Sequence, residues 1–167
     1  MSSAYFQPAL EERVTDILKP AVGQGTDAVD YIKTWDHYLK DLNFDPRNYK
    51  QFFPYMVVTA RSEEQVGPGE MGTRLEINNW VMNLYYIDVV QEYEEGRQRR
   101  AKLVHQIQKT LELEPRLQNL AVMAPNDNII TKVYDSNFAS IQFDSSGQEG
   151  YYTFVSEMYL NVNTSKN

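Results

Sequence analysis

The sequence predicts a single α+β domain, a mixed or antiparallel sheet flanked by one main helix and by N-terminal helices. Three observations carry this. One segment, Gly96–Leu113, has the 3.6-residue apolar period of an amphipathic helix. Strand-type segments rich in β-branched and aromatic residues lie on both sides of it, at Arg74–Val90 and within Asn128–Val162. At 167 residues the chain is one domain long, and such a chain buries roughly 70% of its unfolded surface, enough for one core.

The elements follow in order. Residues 1–7 are small and polar apart from Tyr5 and Phe6 and read as an arm. Pro8 opens a short helix whose Leu10, Val14, Ile17 and Leu18 share one face, and Pro20 with Gly23 and Gly25 ends it. Ala28, Ile32, Trp35 and Leu39 repeat the spacing, which predicts a second short helix within Asp27–Leu42, dense in aromatics. Asp45–Pro46 marks a turn. Tyr55–Ala60 is a strand whose unbroken Met56–Val57–Val58 run calls for burial on both faces. Arg61–Gly72, with Gly67–Pro68–Gly69, is a loop expected to be mobile in a free subunit and ordered against a partner. It lacks the spacing of a phosphate-binding P-loop.

Leu75–Val90 is the longest strand candidate. Trp80, Met82, Leu84 and Tyr86 take one face, and Val81, Tyr85, Ile87 and Val89 the other. Its length exceeds the usual strand, so Asn78–Asn79 is expected to hold a bulge or turn. Two apolar faces need two covers: the main helix on one, and the N-terminal helices or a neighbouring subunit on the other. In the main helix, Leu103, Val104, Ile107 and Leu111 form the buried stripe. Arg97, Arg99, Arg100 and Lys102 form a basic first turn, opposed to the helix dipole and calling for acidic compensation from Glu92, Glu94 and Glu95 or from a partner. Leu117 and Leu120 fit one further turn after Pro115. The last third reads as strands Ile129–Tyr134, Phe138–Phe143 and Tyr151–Val162, the last two joined as a hairpin. Ala139, Ile141 and Phe143 form the half-buried side of the second, and 163–167 reads as a frayed tail. The expected organisation is therefore an arm at 1–7, a domain at 8–162 with its loop at 61–72, and a tail at 163–167.

Composition narrows the function. There are no cysteines, which excludes disulfides, thiolate metal sites and a cysteine nucleophile. The formal charge is −7, so the chain lacks the net field that duplex binding draws on. No apolar run is long enough to span a membrane, and no secretory signal pattern is present. His37, in the run Trp35–Asp36–His37–Tyr38, and His105, beside the main helix's apolar stripe, are isolated and read as structural. They have no metal-ligand spacing, and Glu12, Asp16 and Asp30 are spaced as solvated carboxylates. No cofactor motif and no nucleophile elbow is found, so the expectation is a protein that is not an enzyme. Tyrosine, favoured at interfaces, supplies 12 residues. The candidate interface residues are Glu63, Glu64, Trp80, Tyr85, Arg97, Arg99 and Arg100, the three arginines being expected to face protein partners.

The order of elements, with Pro54–Tyr55–Met56–Val57–Val58, the loop containing Glu63–Glu64, and Tyr85–Tyr86–Ile87–Asp88–Val89–Val90 just before the helix, resembles the tail terminator (tail completion) proteins of long-tailed bacteriophages. More broadly it resembles small α+β neck and tail-end proteins. The resemblance covers residues 8–162 in element order and texture, and the aromatic-rich 27–53 segment departs from the shorter family pattern. It implies a structural virion protein, assembled in the host cytoplasm, that forms a hexameric ring capping the tail tube. The implied partners are further copies of itself, the tail tube protein and a head-side connector, with genomic DNA passing through the lumen unbound; no membrane, cofactor or catalytic residue is implied. The alternatives are another head–tail connector, or a cellular interaction domain working through its sheet.

Overall fold

The structure, a computed structural model, describes residues 5–24, 30–40, 49–63, 76–125, 128–148 and 150–166. It is an α+β domain as the sequence predicts, and the described strands form one six-stranded sheet. The elements are α1 (Phe6–Val22), β1 (Thr34–Asp36), α2 (Tyr49–Phe52), β2 (Tyr55–Glu63), β3 (Glu76–Val90), α3 (Tyr93–Glu112), β4 (Ala121–Met123), β5 (Ile130–Gln148) and β6 (Tyr151–Lys166). The strand order is β1-β2-β3-β6-β5-β4. All pairings are antiparallel except β1 on β2, which is parallel.

Side-chain alternation on β3 and β6 sorts the core. Trp80, Met82, Leu84, Tyr86, Met158, Leu160 and Val162 share the buried cluster with Leu10, Val14 and Leu18 of α1 and Leu103, Val104, Ile107 and Leu111 of α3. Both long helices therefore lie on one side of the sheet, not on opposite sides. On the other side Phe53, Tyr55, Val57, Ile87 and Val89 form a second, smaller cluster with Phe52 packed against it. The apolar run of β2 is thus buried on both faces, as its composition requires.

Several expectations are corrected, each for a tertiary reason. The first helix begins at Phe6, inside the expected arm, because Phe6 is fully buried against Trp80 with ring centroids 5.4 Å apart. Within 27–42 the described residues include no helix. Ile32 is buried, Lys33 and Thr34 donate their N–H groups to Pro54 O, and the chain then pairs with β2. A partner at the sheet edge outweighs a weak helical period here; residues 25–29 and 41–48 lie outside the description. Asn78–Asn79 holds no bulge: β3 pairs with β6 without interruption from Glu76 to Val90.

The expected strands Ile129–Tyr134 and Phe138–Phe143 are one 19-residue strand, with register shifts at Val133/Asp135 and Phe138/Ser140. Its far half is largely exposed: Ala139 and Phe143 face solvent, with Phe143 touched from α3 by the Arg100 guanidinium over its ring, and Ile141 is half-buried against the helix-side cluster. The expected tail is strand as far as Lys166, held between β3 and β5, with Thr164 fully buried. Leu117, Gln118 and Asn119 have φ of 50°, 57° and 57°, so the segment after Pro115 is a left-handed turn and not another helical turn, although Leu117 is buried as expected. Of the loop 61–72, Arg61–Glu63 belong to β2, and 64–75 lie outside the description.

Candidate assembly surfaces

The three arginines fall into different environments. Helix α3 starts at Tyr93, so its first turn holds Glu94 and Glu95, and the cations come after it. The dipole is therefore opposed less than the sequence suggests. Arg97 is exposed and paired with Glu94 at 2.7 Å, which with Gln98 pulls the Glu94 carboxyl down to about 2. Arg99 reaches under the helix to Asp88. Its Nε and Nη2 donate to the two carboxylate oxygens at 2.7 and 2.9 Å, and Tyr86 donates its hydroxyl to the same group at 3.2 Å. Burial pushes the Asp88 carboxyl above its ordinary value, against the pull of Arg99. Burial likewise pushes Tyr86 well up. Arg100 lies between the rings of Phe143 and Phe154, 5.2 and 5.0 Å from their centroids, and donates to Asp144 O and Val155 O. Arg99 and Arg100, both half-buried, thus bind groups of their own chain. Arg97 alone of the three stands on the outer surface.

Trp80 is 2% exposed on the helix side and has no surface to offer a neighbour. Tyr85 is on the opposite side, half-buried between Val57 and Glu157 in the strand register, and burial raises its hydroxyl pKa, helped by the Glu157 charge. Around it the register assembles Asn83, Gln142, Glu157, Tyr159 and Asn161 into one polar band across β3, β6 and β5. Neither α1 nor α3 covers this band; on this side of the sheet the four-residue α2 packs through Phe52 against the cluster that Tyr85 adjoins. The side chain of Glu63, and all of Glu64, lie outside the description.

The two edges of the sheet differ. Beyond β1, the outer edge of β2 is closed by side chains. His37 Nδ1 sits 2.9 Å from Val58 O, Gln7 donates to Ala60 O at 2.7 Å, and Ala60 N–H donates to the buried Glu11 carboxylate at 2.9 Å. Tyr55 donates to Asp36 at 2.7 Å, and burial with this bond raises its pKa to about 12. At the other edge β4 pairs only with Ile130–Lys132 of β5. The rest of that strand has no described strand outside it. A cleft of about 330 Å³ separates its Phe143 from the α3 flank of Arg97, Ala101, Val104, His105 and Gln108. His105 is exposed there, and among the described residues no cluster of His, Asp or Glu is placed to hold a metal ion.

No known protein family model matches this chain, and no curated protein matches its sequence. Sequence reasoning missed the roles of Glu11, Gln7, Asp88 and Phe143. Two of these left a signal: Glu11 is an acid adjoining the buried face of an amphipathic helix, and Asp88 sits inside the apolar run Ile87–Val90. An acid in such a place needs a partner in the fold.

Proposed function

We propose that this chain is a structural virion protein, a tail terminator. Six copies form a ring at the head-proximal end of the tail tube, end tube polymerisation and join the tail to the head connector, without catalysis. The observation that supports this most is one-sided layering. With α1 and α3 on the same face, the opposite face carries the band of Asn83, Tyr85, Gln142, Glu157, Tyr159 and Asn161. Such a band makes hydrogen bonds yet grips few phosphates, which suits a surface that duplex DNA must pass without sticking. The formal charge of −7 per chain works in the same direction.

Mass in solution and negative-stain microscopy, with and without tail tube protein, test this reading. Six-fold rings on tube ends are expected; monomers alone, even with tubes present, refute it. Duplex anisotropy titrations across salt should show no binding at physiological ionic strength. Sub-micromolar affinity that falls steeply with salt would replace guiding by gripping.

A further inference from the structure

We propose that the outer edge of β5 joins two copies of this chain, the two strands pairing antiparallel about a two-fold axis at Gln142. The inference goes beyond the terminator reading: a two-fold contact is isologous, whereas ring contacts are heterologous, so the two are separate surfaces.

The choice of partner follows from the edges. A sheet cannot continue from β5 of one copy to β2 of the next, because His37, Gln7 and Glu11 already occupy Val58 and Ala60 at the β2 edge. The terminal strand on that side, β1, is three residues long, so the long described edge left for pairing is β5 on β5. Along β5 the first part is taken by β4, and the next is broken by the shifts at Val133/Asp135 and Phe138/Ser140, which twist an edge away from pairing. From Ser140 to Gln148 the register with β6 is unbroken, and no described strand lies outside it.

The side chains of that stretch are self-complementary in one register. Ile141 and Phe143 point to the helix side, and Ser140, Gln142 and Asp144 to the other. Pairing about Gln142 sets Ile141 opposite Phe143 of the second copy, twice, and Ser140 opposite Asp144, also twice. Apolar pairs and hydroxyl–carboxylate pairs across strands are both favourable. A register about Asp144 would set two carboxylates face to face, and one about Phe143 would leave Ile141 opposite Ser145. Phe143 is 58% exposed but already held, with Arg100 stacked on its ring and bonded to Asp144 O. An aromatic ordered before contact loses little freedom on binding.

The chain has no cysteine, so Gln142→Cys introduces a single thiol on an exposed position. Directly opposed antiparallel residues have Cα atoms about 4.5–5.5 Å apart, within disulfide reach. Mild oxidation should give a disulfide-linked dimer, while Gln118→Cys, exposed in the turn after α3, should not cross-link. Sedimentation should show a wild-type dimer, and Phe143→Asp should weaken it at least about tenfold with an unchanged circular dichroism spectrum. A monomer at every concentration overturns the proposal, as does a dimer that the Gln142→Cys thiol fails to cross-link. A six-fold ring without that cross-link also overturns it while leaving the terminator reading standing. A cross-linked dimer that never forms rings on tubes supports the pairing and refutes the terminator.

Discussion

Removing Arg99 should destabilise the domain in a pH-dependent way. The Asp88 side chain is 0% exposed and that of Arg99 15%, and two hydrogen bonds of 2.7 and 2.9 Å join them. Arg99→Met keeps an unbranched apolar stem and removes the charge, leaving Asp88 buried with Tyr86 as its remaining hydroxyl donor. Breaking one partner of a buried pair costs about 3–5 kcal/mol, and that is the loss expected at pH 8. Burial already holds the Asp88 carboxyl above its ordinary value, and Arg99 pulls it back. Without Arg99 the folded-state pKa rises further, while the unfolded value stays near about 3.9. Between these two values the folded state of the variant holds a proton that the unfolded state has lost. Stability therefore falls as pH rises through that window, and the deficit should be smaller at pH 5 than at pH 8. Adding Asp88→Asn removes the stranded charge, so the double variant should be more stable at pH 8 than Arg99→Met. Urea denaturation followed by tryptophan fluorescence at both pH values measures all of this. A loss under about 1 kcal/mol at pH 8, the range of a surface pair, would refute the reasoning. So would an equal loss at the two pH values.

Further outcomes are expected elsewhere. Ile107→Ala should cost about 2–4 kcal/mol through lost burial and a cavity, whereas Gln108→Ala, on the flank bonded to Glu112, should stay within about 0.5; equal losses in denaturation would mean the stripe is misread. Gly96→Ala should destabilise by about 1–3 kcal/mol by overpacking, because an added Cβ runs into the Phe154 ring and Val90 where α3 lies closest to the sheet. A gain in thermal stability, as helix propensity alone predicts, would contradict that close approach. Glu11→Ala strands the buried Ala60 N–H, which should cost about 1–3 kcal/mol. It also reopens the β2 edge, so light scattering should show more self-association, and unchanged scattering would mean that Glu11 does not guard the edge.

The sequence by itself determined the α+β class, the helical stripe Leu103–Leu111, and the two faces of β3 and β2, because each depends on a local period that burial must respect. It also located Trp80 and Tyr85 on opposite faces. What it left undecided were relations between elements distant along the chain. Thr34–Asp36 became strand because β2 lay beside it, and the segment through Lys166 did because β3 and β5 flank it. Asn78–Asn79 stayed in register because a long partner paired with every residue. Periodicity says that two faces need cover but not which element supplies it, so only the tertiary structure placed α1 beside α3, with no long helix among the described residues on the opposite face. The arginines show the same division. Arg97, Arg99 and Arg100 are near neighbours in sequence, yet 100° per residue turns one to solvent, one to the buried Asp88 and one onto Phe143. A helix fixes those directions locally, but what each side chain meets there depends on strands brought in from up to 55 residues away.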